Sequence, residues 1–131
     1  MIKKVVNKKD EKIKLIFKID RGPDKILEDR GCFLYLCKNR LELICNYDWR
    51  NNFCMKDDTV QFHLIIQKHN LSICRTLYTL DGPEPEKLHH CLQLYYPGGE
   101  TWVYLSHEDC NEMFDMIRHW LNNDRHEDLI H

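Results

Sequence analysis

The chain contains no alanine and only two serines, Ser72 and Ser106. Alanine is the strongest helix former, so 131 residues without it agree with a mainly β chain. No apolar run approaches the roughly 18 residues that a membrane-spanning helix needs. There is no phosphate-binding P-loop, no G-x-G-x-x-G, and no G-x-S-x-G elbow around either serine. No C-x-x-C occurs among the seven cysteines. A strong excess of basic charge is missing as well: 19 Lys and Arg stand against 21 Asp and Glu, a net charge of −2. That balance argues against wholesale nucleic-acid binding.

What is present is ordinary in bulk, with 43% hydrophobic and 31% charged residues, and the length suits one domain. The lysine-bearing N-terminus, Met1 to Lys14, lacks the apolar stretch of a secretory signal, so an intracellular protein, cytoplasmic or nuclear, is expected. Cys32, Cys37, Cys45, Cys54, Cys74, Cys91 and Cys110 are odd in number and mostly occupy apolar alternations. Reduced, buried thiols are expected, not a disulfide scaffold.

From Ile13 to Leu105 apolar residues recur mostly at every second position, the period of half-buried strands. Seven strands are read: Lys12–Asp20, Cys32–Cys37, Leu41–Tyr47, Thr59–Lys68, Leu71–Leu80, Leu88–Tyr96 and Thr101–Leu105. The alternation slips near Arg75, which a bulge would explain. Cys110, Met113, Phe114, Ile117, Trp120 and Leu121 then follow the i, i+3, i+4, i+7 stripe of an amphipathic helix over His107–Asn122. Ser106 and Asp109 form an S-x-x-D capping box at its start. The expected fold is α+β, mainly β: an antiparallel seven-stranded barrel or sandwich capped by a C-terminal helix. Residues 1–11 read as a flexible arm, 12–122 as one domain, and 123–131 as a polar tail.

Seven antiparallel strands followed by the segment TWVYLSHEDCNEMFDMIRHWLNN resemble the pleckstrin-homology superfold over Lys12–Asn122. The resemblance implies that the helix plugs one open end of a barrel, with Phe114, Ile117 and Trp120 as the plug. It also implies a phosphoinositide site around the first two strands. Lys18, Arg21, Lys25 and Arg30 stand there, but Asp20, Asp24, Glu28 and Asp29 cancel them. A headgroup needs concentrated positive charge, so membrane-surface binding is a lesser alternative.

Reactive residue types are plentiful without the spacing that chemistry needs. His126 and His131 are five apart, about 140° around a helix, whereas a zincin pair needs four. His89-His90-Cys91 and His107…Cys110 match no zinc spacing. Neither metal nor cofactor is expected, and no catalytic residue is assigned. Trp49, Arg50, Asn52 and Phe53 carry residue types enriched at interface hot spots, and they are the expected partner-binding residues. Tyr95, Tyr96, Trp102 and Tyr104 form a second aromatic group. A non-catalytic protein–protein interaction module, an adaptor or assembly subunit, is therefore expected. The alternative is a single-stranded nucleic-acid binder using sheet aromatics with Lys12, Lys14, Lys18 and the N-terminal lysines.

Overall fold

Alternating apolar residues along most of the strands build two antiparallel sheets that share one apolar interior. The computed structural model describes residues 2–17, 32–45, 62–79 and 88–130. Strands β1 (Lys3–Asn7), β2 (Lys12–Phe17), β3 (Cys32–Leu36), β4 (Arg40–Cys45) and β5 (Phe62–Gln67) pair in chain order as a five-stranded sheet. A single 3-10 turn, Lys68–Asn70, leads into β6 (Ser72–Thr79), which forms a three-stranded sheet with β7 (Leu88–Tyr96) and β8 (Gly99–Leu105). Helices α1 (His107–Leu121) and α2 (His126–Ile130) follow.

Leu15, Leu34, Leu36, Leu41 and Leu43 from the larger sheet meet Leu92, Leu94, Val103 and Leu105 from the smaller one in a single core cluster. Each such fully buried leucine contributes about 1.5–3 kcal/mol relative to exposure. The register places these residues together: Leu15 lies opposite Leu34, Leu34 opposite Leu43, and Leu92 opposite Val103.

Helix α1 packs on β6, β7 and β8 and inserts Cys110, Met113, Ile117 and Trp120 into the core. Its start is capped as its sequence demands, with the Ser106 hydroxyl oxygen accepting the Asp109 N–H at 3.2 Å. Its end reaches the other sheet, where the Trp120 indole N–H donates to the Cys37 carbonyl at 2.8 Å. Lys68 donates to the Asn123 carbonyl at 2.9 Å and lies 4.9 Å over the Trp120 ring. Burial lowers the Lys68 pKa, and Asp124 opposes that shift.

Several expectations are corrected. Of the expected barrel or sandwich, the described residues form two antiparallel sheets and no closed barrel, and they contain eight strands where seven were read. The segment read as an arm contains β1, which runs antiparallel to β2 with Lys3 opposite Ile16 and Asn7 opposite Lys12. All five residues of β1 are exposed, because an edge strand is held by its neighbour's backbone and needs no apolar face of its own. The segment read as a polar tail contains α2, whose buried His126 donates from Nε2 to the Glu11 carbonyl at 2.6 Å. No bulge interrupts β6, which pairs continuously from Ser72–Tyr95 to Thr79–Leu88. Arg75 simply takes a helix-facing position, with its guanidinium 4.4 Å from the Phe114 ring. Phe114 is half-buried and packs against the core, in which Ile117 and Trp120 are fully buried.

Candidate functional site

Residues directly opposite one another in antiparallel strands share a face. The register therefore gathers Lys3, Val5 and Asn7 of β1 with Lys12, Lys14 and Ile16 of β2 on the outer face of the five-stranded sheet. Phe33 and Tyr35 of β3 continue that face, opposite Ile16 and Lys14. Ile44 and Glu42 of β4, then His63 and Ile65 of β5, complete it. With strands about 4.8 Å apart, the surface is roughly 20 Å wide. Val5 is 40% exposed and Ile65 51%, so large apolar side chains meet solvent at both edges.

The electrostatics of this face are one-sided. Of the residues just placed on it, Lys3, Lys12 and Lys14 are basic and Glu42 alone is acidic, in a chain of net −2. No ion pair joins Lys3, Lys12 or Lys14 to a described carboxylate. Lys14 instead places its ammonium 4.2 Å from the Phe33 centroid and 5.8 Å from that of Tyr35, while Lys12 lies 5.7 Å from Tyr35. Glu42 is already engaged by Arg40 at 3.5 Å and His63 at 3.7 Å. Its second oxygen accepts from the Cys37 thiol at 3.7 Å. Burial, followed by the Glu42 charge, raises the Cys37 pKa. A carboxylate at this face would thus meet lysines with no described carboxylate partner, beside an acid already paired with Arg40.

The three-stranded sheet also has an aromatic outer face, and its polar groups are engaged. Tyr95, Trp102 and Tyr104 lie on the side away from α1, with Gln93 and Cys91 buried between them. The Gln93 carbonyl oxygen accepts from the Thr76 hydroxyl at 2.8 Å and the Tyr95 hydroxyl at 2.9 Å. Tyr96 belongs to the opposite face, where its hydroxyl bonds Thr101 at 2.7 Å.

The structure brings two of the sequence-candidate histidines together at the start of α1. Arg75 donates to Asn111 Oδ1 at 2.5 Å, which turns the Asn111 amide N–H toward His107 Nε2 at 3.2 Å. His107 then carries its proton on Nδ1 and donates to His90 Nε2 at 2.9 Å. Cys110 is beside them, its thiol pKa raised by burial although Arg75 opposes the shift. Among the described residues no group of three or more His, Cys, Asp or Glu is placed to hold a metal ion. The directed chain Arg75–Asn111–His107–His90 ties α1 to β6 and β7.

Trp49, Arg50, Asn52 and Phe53 lie outside the described residues, as do Lys18, Arg21, Lys25 and Arg30. Sequence reasoning missed Lys3 and Val5, which sat in the supposed arm, and it did not separate Phe33 and Tyr35 from the buried side of the run CFLYLC. Their spacing of two, matched to Lys12 and Lys14 across the strand pair, was the available signal. No helix among the described residues is long and apolar enough to cross a membrane. Comparison with protein-family models, curated proteins and solved structures finds no match.

Proposed function

We propose that the chain is a non-catalytic protein-interaction module of pleckstrin-homology-like architecture. It holds an extended, acidic segment of a partner along β1 and the adjoining outer face of the five-stranded sheet. The observation that carries this reading is the pairing of an exposed edge strand with lysines that have no described carboxylate partner. An edge strand offers backbone donors and acceptors to an added strand, and flanking lysines select its charge. For the architecture, seven antiparallel strands from β2 to β8 precede α1, the order that the resemblance implies. Cys32 and Cys110 fill core positions as small apolar side chains, which suits a reducing cytoplasm or nucleus.

Single-stranded nucleic acid is the competing reading, because Phe33 and Tyr35 beside Lys12 and Lys14 combine stacking surfaces with phosphate partners. Val5, Ile16, Ile44 and Ile65 on the same face favour the protein segment. Aliphatic side chains give bases little to stack on but match the apolar positions of a protein segment. Trp49, Arg50, Asn52 and Phe53, between β4 and β5 in sequence, stay in the proposal as further anchors.

Fluorescence anisotropy with a labelled acidic peptide tests the reading. Binding should weaken as salt rises and drop about tenfold or more in Lys3→Glu/Lys14→Glu, since two attractive charges become repulsive. Unchanged affinity in that variant, or preferential binding of an oligodeoxythymidylate, would refute it.

A further inference from the structure

A groove of about 170 Å³ opens beneath β1, on the face opposite the lysine–aromatic surface. Its floor is core: Ile13, Leu15, Leu36 and Trp120 line it, each at most 4% exposed. Met116 of α1 and Leu129 of α2 wall it, both half-buried. Lys4 lines it from β1, directly opposite Leu15. Asp128, also in the lining, lies 3.5 Å from Arg125, which leaves Lys4 without an ion partner among the described residues.

We infer that this groove receives one bulky apolar side chain, of phenylalanine or leucine class, from an acidic partner strand added to β1. The inference rests on the reading of β1 as a binding edge. A strand added there would lie about 4.8 Å beyond β1, and its side chains would alternate between the two faces. One set would point with Lys3 and Val5 toward the outer surface. The other would point with Lys4 and Val6, over the groove. A volume near 170 Å³ suits one aromatic ring, since a dry cavity of roughly 150 Å³ takes up benzene. Charge complementarity names the occupant. A second copy of this chain would bring Lys3, Lys4, Lys8 and Lys9 of each β1 region against the same lysines of the other, whereas an acidic strand meets them favourably.

The test uses two labelled peptides of alternating Glu and Val, Glu-Val-Glu-Phe-Glu-Val-Glu and the same sequence with Ala in place of Phe, titrated against the full chain. The Phe peptide should bind about tenfold tighter or better, the size expected for burying an aromatic side chain. Leu129→Trp and, separately, Met116→Trp fill the groove from two different helices. Each folded variant should bring the two affinities within about twofold while the Ala peptide binds as before. Equal binding of both peptides to the unaltered chain would overturn the groove assignment and leave the edge reading standing. Failure of both peptides to bind would overturn the edge reading, and this inference with it.

Discussion

The two sheets each present an aromatic outer face, and they differ in whether the polar groups there have partners. On the three-stranded sheet, Gln93 takes hydrogen bonds from Thr76 and Tyr95 and is buried beneath its neighbours. On the five-stranded sheet, Lys3, Lys12 and Lys14 have no described carboxylate, and Val5 and Ile65 lie open. On the proposed reading, aromatic content alone does not mark a binding surface. A face whose hydrogen bonds are satisfied internally gains little from a partner, whereas unpaired cations beside exposed apolar groups gain from an acidic, apolar one.

The largest effect should come from breaking what the two faces share. Trp120→Ala removes the most deeply buried aromatic of α1 and its hydrogen bond to Cys37, and should cost about 3–5 kcal/mol in urea unfolding. Phe114→Ala, at a half-buried position, should cost distinctly less. Equal losses would mean that the two side chains contribute alike to the core.

Gln93→Leu tests the satisfied face. It keeps the volume but strips Thr76 and Tyr95 of their acceptor, so a loss of about 1–2 kcal/mol is expected. Lys14→Ala on the other sheet should leave stability within about 0.5 kcal/mol. If the two substitutions proved equally harmless to stability, the distinction between satisfied and open faces would collapse.

A smaller, pH-dependent effect concerns the thiols of the three-stranded sheet. Burial pushes the Cys91 pKa from 9.0 up to about 12, with Cys110 adding to the shift. A folded pKa raised above the unfolded value gives stability that is whole below about 9 and is lost as pH rises from about 9 to 12. At pH 8.5 iodoacetamide should therefore modify exposed Cys74 and spare Cys91 in the folded chain. Rapid labelling of Cys91 would show that this face opens.

Much of this framework was legible in the sequence because the signal was strong. Seven alternating runs became β2–β8, and Ser106 with Asp109 marked the start of α1 to the residue. The missed elements carry little periodic information. β1 is an edge strand held by backbone pairing, and α2 has five residues, of which only His126 and Ile130 are buried. Arg75 looked like a register slip because a helix-facing position at the sheet edge can hold a cation stacked on Phe114. The candidate surface was hidden for a related reason: it exists only once Lys12 and Lys14 are laid beside Tyr35 and Phe33 by strand pairing. No local pattern contains that juxtaposition.

The central claim is that binding belongs to the five-stranded sheet and not to its aromatic counterpart. Titrating the isotope-labelled chain with the acidic Phe-containing peptide, and following amide chemical shifts by NMR, tests it most directly. Shifts should concentrate at Lys3–Asn7, Lys14, Phe33 and the groove residues Met116 and Leu129, with Tyr95, Trp102 and Tyr104 unmoved. Shifts centred instead on β8 and Gln93, with β1 silent, would contradict it.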